Sequence, residues 1–455
     1  MLRNPYHFKI IRDGEVVMFE ITALLLCIKP VLNRTLLTQL TVIIEAVLCL
    51  QGRVTMLGIS RWSEKGGSYR TIQRFYNSVI PWCRIQYLFI RHHLLDPDDI
   101  ILLAGDETTV TKSGKTTYGL GRFFSSIYNR AVPGLGFFCL SFISVNRRKA
   151  FPVLMEQLDP DMERNTKTKT EKSKKNRKGK PGRPRGSGNR NRKKIELTRY
   201  LLWIQGFILY ILKLCGSDVH PEYFLYDGAF GNNSCLRMVK QCGLHIISKL
   251  HCNAALYFPY EGEYGGRGPR RKYGDKLDYS DIPQEYLKES YVKDGILTKI
   301  YRMTMLHKDF SEKLNITIIQ KINISGKRES HVVLFSDDIE LTSENMIFYY
   351  RLRFRIEFTF RDAKQHWGLE DFMNIKKQAV RNAANLSMFM VNLQHALGRT
   401  MSSFSVNDIK ARFHAHFYVR KLLKKALQIE DPIIIQQLYD TVGGLGCIHK
   451  ETASE

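Results

Sequence analysis

The sequence predicts an α/β core carrying a mostly β insertion, with an all-helical part before it and further helices after it. Three observations lead there. Apolar residues recur at helical spacing up to about residue 94, short apolar runs ending in Gly or Asp begin at Ile100, and helical spacing returns only at Ser343 after a long alternating stretch.

Within residues 1–95, Leu37, Leu40, Ile43, Ile44 and Val47 fall on one helix face. Gly66-Gly67 breaks the pattern, and Ser68 serves as N-cap to a helix Tyr69 to Tyr76 on which Arg70, Gln73 and Arg74 face outward. Such a pair resembles a helix-turn-helix whose second helix enters the major groove, and a plain amphipathic bundle accounts for the same pattern. Residues 96–252 form the first part of the core. Ile100 to Ala104 is a strand ending at Gly105-Asp106, followed by strands at Leu135 to Val145 and Ala150 to Leu158. A basic linker, 160–194, then precedes a helix over Ile195 to Cys215. The strand Tyr223 to Tyr226 ends at Asp227, a turn uses Gly228, Gly231 and Asn232, and a helix Ser234 to Cys242 leads to the strand His245 to Leu250. Three strands, helix, strand, helix, strand is the order expected of a ribonuclease H-like core. Residues 253–340 are the β-rich insertion, 341–400 resume the core, and 401–455 are a C-terminal helical region.

The 455 residues carry a formal charge of +25, which favours polyanionic partners, nucleic acid first. Arg164 to Lys194 alone holds 15 basic residues and one acidic residue, Glu171, so this mid-chain run reads as a tether on an anionic surface. Nine cysteines with no CxxC pair suit free, mostly buried thiols in a reducing compartment, and the spacings of Cys235, Cys242, His245, His251 and Cys252 fit no zinc knuckle. Leu201 to Leu214, the most apolar stretch, is too short to span a bilayer, and no small-residue cleavage site follows the N-terminal apolar run. The expectation is a soluble cytoplasmic protein.

Asp106 and Asp227, at the ends of buried strands, are costly to place there unless something positive neutralises them. Either alone is more commonly a turn or helix-cap residue. The segment YRLRFRIEFTFRDAK adds Tyr350, Arg353, Glu357 and Lys364, whose spacing sets them at about 0°, 300°, 340° and 320° around a helix. One carboxylate between an aromatic hydroxyl and two cations suits a metal ligand among phosphate-binding groups. A surface laced with ion pairs such as Arg353 to Glu357 is the alternative.

The contexts GDETT and YDGAFGN, followed by this Y-R-E-K spacing, resemble the DD-E transposases of bacterial insertion sequences, the Y-R-E-K group (insertion-sequence family four). The resemblance runs from SYRTIQRFYN through the three acidic positions to Lys364 and the helices beyond, and the β insertion is similar too. It implies a DNA transposase in which Asp106, Asp227 and Glu357 hold two Mg2+ ions, with Mn2+ able to substitute, while Tyr350, Arg353 and Lys364 contact the DNA backbone near the cleaved end. The implied partners are double-stranded DNA, as transposon ends and target, and a second copy of the chain in the DNA complex, at the nucleoid. Such an ion pair activates a water or a 3′-hydroxyl and stabilises both oxygens of an in-line displacement. Glu107, directly after the first Asp, stands as a competing ligand.

Within the linker PGRPRGS resembles an AT-hook, which would place Arg183 and Arg185 in a narrow minor groove, with Pro181 and Pro184 keeping the backbone extended. A generic basic linker is the other reading. Two further functions compete: a ribonuclease H-like nuclease that cuts without joining, and an inactive DNA-binding regulator. The helix-turn-helix pattern argues against the first, and the intact acidic triad against the second.

Overall fold

The computed structural model describes residues 21–63, 66–125, 128–160, 196–264, 266, 268–325, 329–400, 404–423, 433, 434 and 442. The basic linker's run with Arg183 and Arg185, and most of the C-terminal helical region, lie outside the described residues.

After a short helical turn Ile21–Leu24 and a 3-10 stretch Leu25–Val31 come the helices α1 (Arg34–Cys49), α2 (Met56–Trp62), α3 (Tyr69–Asn77) and α4 (Trp82–His93). Polar caps set the first three, Asn33, Thr55 and Ser68 each accepting a backbone N–H three residues on. On α3, Ile72, Phe75 and Tyr76 are buried while Arg70, Gln73 and Arg74 are exposed.

The strands β1 (Ile101–Thr111), β2 (Gly121–Ser125), β3 (Arg130–Ser144) and β4 (Lys149–Gln157) follow as antiparallel neighbours, with β3 between β1 and β4. β1 does not end at Asp106 as the apolar run predicts. Its polar second half, Glu107 to Thr111, stays extended because it remains paired with Gly134 to Phe138 of β3. After α5 (Arg199–Cys215), β5 (Tyr223–Leu225) pairs parallel to β1, α6 (Asn233–Gln241) crosses over, and β6 (His245–Leu250) pairs parallel to β5. Six more strands extend the same sheet beyond β6: β7 (Leu256–Pro259), β8 (Tyr273–Lys276), β9 (Leu287–Lys293), β10 (Ile296–His307), β11 (Lys313–Asn323) and β12 (Glu329–Ser336). The path runs β2-β3-β1-β5-β6-β12-β11-β10-β7-β8, with β4 on β3 and β9 on β10.

Helices α7 (Ser343–Arg353), α8 (Arg355–Gln365), α9 (Lys377–Thr400) and α10 (Val406–Leu422) complete the described chain. α9 is buried along most of its length, and its Asn382, Asn385, Ser387 and Asn392 are buried with it. The Asn382 amide donates to the carbonyls of Tyr76 and Ser78 and accepts from Trp82 Nε1, each at 2.8 Å. Asn385 donates to Met155 O at 2.9 Å, and Asn392 donates to Gln86 Oε1 at 2.6 Å and to Pro152 O at 2.8 Å. Buried amides of this kind are retained because each satisfies backbone groups that would otherwise be unpaired. They bolt α3, α4 and β4 to one helix, and so fix the N-terminal helices against the sheet that carries Asp106. Among the described residues no helix is long and apolar enough to cross a membrane.

Candidate active site

Parallel pairing of β1 with β5 puts Ala104 opposite Leu225. Two residues further on each chain stand Asp106 and Asp227, level with one another just past the parallel ladder. Asp227 caps the turn Gly228–Phe230, its carboxylate accepting the Ala229 N–H at 3.0 Å while Ser248 Oγ donates to its carbonyl at 2.8 Å. Within this turn a Cβ on Gly231 would collide with the carbonyl of Lys249, so only glycine fits the close approach. Tyr226 and Phe230 stack face to face, with centroids 3.7 Å apart, and brace the turn from behind.

The third carboxylate comes from the helical segment after β12. α7 and α8 are not one helix, as the spacing predicts, but meet at Phe354. There the ladder tightens to i→i+3 bonds, Phe354 N–H to Arg351 O at 3.2 Å and Glu357 N–H to Phe354 O at 3.1 Å. Across the junction Arg353 and Glu357 still meet. Arg353 Nη1 lies 3.1 Å from Asp106 Oδ2, and its Nη2 lies 3.3 Å from Glu357 Oε1. Side-chain exposure is 13% for Arg353, 19% for Asp106 and 42% for Glu357. Arg353 also faces the ring of Tyr350 at 5.9 Å, and its buried Nε–H has no hydrogen-bond partner among the described residues.

These charges feel one another. Burial pushes the Asp106 carboxyl up to about 6, Arg353 and the Glu107 N–H oppose the rise, and Asp227 and Glu357 add to it. Arg353, although desolvated, is held more firmly protonated by Asp106 first and by Tyr350, Glu357 and Asp227 after it. Burial raises the Tyr350 hydroxyl as well, with Asp227 and Asp106 among its neighbours.

Asp106, Asp227, Glu357, Tyr350 and Arg353 thus form one electrostatic cluster. Lys364 lies further along α8, donating to Thr109 O of β1 at 2.8 Å and pairing with Glu370 at 3.4 Å. Glu107, the next residue on β1, takes the hydroxyl hydrogen of Tyr200 at the start of α5. That tie, between residues on either side of the basic run, has no signature in the sequence. Arg70 and Arg74 are exposed on α3, outside this cluster.

As the side chains stand, no group of three or more His, Cys, Asp or Glu among the described residues is gathered closely enough to hold a metal ion. The geometry gives the reason. The Arg353 guanidinium stands between Asp106 and Glu357 and supplies the positive charge that the carboxylates require. Carboxylate oxygens are, as a class, the donors that hard divalent cations prefer.

Residues 27–299, more than half of the chain, match the family model described as DDE superfamily endonuclease. The match includes Asp106 and Asp227 and ends before Glu357. No curated protein matches the chain.

Proposed function

Because this chain belongs to the DDE superfamily endonuclease family, we propose that it is a DNA transposase whose metal ligands are Asp106, Asp227 and Glu357. The observation that carries the reading is the placement of Asp106 on β1 and of Asp227 just past β5, each two residues beyond the paired Ala104 and Leu225, with Glu357 joined to Asp106 through Arg353. Family membership implies a DNA substrate and divalent-metal chemistry. The sheet order β4-β3-β1-β5-β6, with β3 antiparallel to β1 and β5 and β6 parallel to it, supports a ribonuclease H-like core. The Y-R-E-K spacing supports the finer grouping among insertion-sequence transposases.

Two Mg2+ or Mn2+ ions held by the three carboxylates would supply an activated water or 3′-hydroxyl and neutralise charge on the reacting phosphate. The chain's own groups do the rest. Asp227 is oriented by its cap bond to Ala229, and Asp106 by the Glu107 N–H, so both present fixed oxygens just past the β1–β5 ladder. Arg353 leaves its carboxylates for a DNA phosphate, a planar donor well matched to that acceptor. Tyr350 beside it supplies a neutral hydroxyl. Lys364 retains donors beyond its bond to Thr109 and reaches the backbone further along the same strand. Exposed Arg70 and Arg74, and Arg183 and Arg185 of the linker, bind DNA away from the reacting phosphate, and two copies of the chain hold the two transposon ends.

The test is cleavage of duplexes carrying the inverted repeats that flank the coding region, in Mg2+, with supercoiled DNA as target. Asp106→Asn, Asp227→Asn and Glu357→Gln keep shape but remove ligand charge, so each should abolish cleavage and joining while end binding persists. A normal cleavage rate in Glu357→Gln would remove Glu357 from the ligand set. Cleavage without joined products would leave a nuclease.

A further inference from the structure

Among the described residues β9 pairs with β10 alone, and every residue from Lys288 to Lys293 is exposed, Val292 by 61% and Tyr291 by 39%. Asp294 and Gly295, with φ of 51° and 72°, close the β9–β10 hairpin in the two-residue turn that needs two positive φ values. Such a turn makes Lys293 and Ile296 a hydrogen-bonded pair. The main-chain groups of Lys293, Tyr291 and Glu289 therefore point at β10, and those of Val292 and Ser290 point away from the sheet. These outward groups have no main-chain partner among the described residues, and Glu289 and Lys293 form no ion pair there. Lysines on an edge strand usually keep other strands away. β9 carries both signs, and their order decides what they do when the strand meets a copy of itself. In an antiparallel pair centred on Tyr291, Ser290 of each strand meets Val292 of the other, outward group to outward group, and Glu289 of each meets Lys293 of the other. Neighbouring registers lose the match: centring on Ser290 sets Glu289 against Tyr291, and centring on Val292 sets Lys293 against Tyr291.

We propose that β9 is a self-recognition edge, through which two copies of the chain join by antiparallel β9–β9 pairing centred on Tyr291. A Glu289–Lys293 bridge forms on either side of the two-fold axis, and main-chain hydrogen bonds link Ser290 of each copy to Val292 of the other. The contact is isologous, and it continues the 12-stranded sheet of one copy into that of the second. Two chains of charge +25 repel over most approaches, whereas Lys288 to Asp294 carries two charges of each sign and is neutral as a segment. The contact needs no DNA, and it stands whatever the acidic cluster does.

Sedimentation equilibrium of the full chain, freed of nucleic acid by nuclease treatment, reads the contact over a micromolar concentration series. Wild type should move from the 52.9 kDa of one chain towards twice that mass as concentration rises. Glu289→Lys and Lys293→Glu each set like charges opposite one another on both sides of the axis, so each should weaken association on the order of tenfold or more. The double exchange, Glu289→Lys with Lys293→Glu, should restore it. Val292→Pro removes an outward N–H and leaves the β9–β10 ladder its bonds, so association should vanish with the melting temperature unchanged. Should Val292→Pro melt early, the charge exchange, made wholly on exposed side chains, decides alone. A wild type that stays single at every concentration overturns the proposal. Association that survives in a well-folded Val292→Pro, or that neither single charge variant weakens, overturns it too and places the contact elsewhere on the chain. A double exchange that fails to restore association refutes the register, and with it the proposal.

Discussion

Replacing Arg353 by Leu removes the internal cation at the centre of the acidic cluster while keeping most of the buried apolar contact. The magnitude follows from the pair it breaks. Asp106 and Arg353 have side chains 19% and 13% exposed, and their closest approach is 3.1 Å. Removing one member of a buried pair costs about 3–5 kcal/mol when the other charge is left uncompensated. Asp106 has an escape, because its carboxyl already sits at about 6. At pH 8, about two units higher, protonating it costs about 3 kcal/mol, which caps the electrostatic loss. Arg353→Leu should therefore lose about 3 kcal/mol at pH 8, and Arg353→Lys, which keeps the charge, distinctly less. The second half of the prediction uses Mn2+ without DNA. With the guanidinium gone, the carboxylates can accept a cation without first expelling one, so millimolar Mn2+ should raise the variant's melting temperature more than that of wild type. Denaturant titration and thermal melts across a Mn2+ series measure both effects. Equal Mn2+ stabilisation of the two proteins, or a variant as stable as wild type at pH 8, would show that Arg353 is not the counter-ion of this site.

Asp106 and Asp227 were legible because a buried strand followed by a carboxylate is a pattern of composition, visible in any window that spans it. Their level placement was not, since it depends on the register of β1 with β5, residues more than a hundred positions apart. Nor was the length of β1 past Asp106, because Glu107, Thr108 and Thr109 are polar and are held extended only by β3. Strand β2 is five residues long and pairs with the first part of β3, too little for alternation to register. The break at Phe354 shows the limit more sharply. No residue between Tyr350 and Lys364 is a Gly or Pro, so local rules give a continuous helix. What they cannot see is that Arg353, the last residue before the junction, is tied to a carboxylate on β1. Nothing in the local sequence marks Asn382, Asn385 and Asn392 as interior, since each is buried only because backbone carbonyls from other elements consume its amide.

Deleting Lys172 to Lys194 removes much of the mid-chain positive charge, so DNA affinity should fall and the slope of log affinity against log salt should flatten, with melting unchanged. An unchanged slope would make the segment a passive spacer. Asn382→Ala leaves Trp82 Nε1 and the carbonyls of Tyr76 and Ser78 without their partner, a loss on the order of 3 kcal/mol in denaturant unfolding. If it unfolds like wild type, α9 is not the bolt between the N-terminal helices and the sheet. The last prediction concerns acid. His93 contacts Leu24 O through Nε2 at 2.8 Å, and burial first, then the nearby charges of His92 and Arg399, lower its pKa to about 4. In the unfolded chain the same imidazole takes its proton near 6.5, so between the two values the unfolded state binds more protons than the native one. Stability from this group is complete above about 6.5 and drains as pH falls through about 4, by no more than about 3 kcal/mol. His93→Gln keeps a donor for Leu24 O and cannot titrate. Its unfolding free energy should fall less steeply than wild type from pH 6.5 to 4, and an identical slope in the two proteins would mean that His93 does not report on acid unfolding.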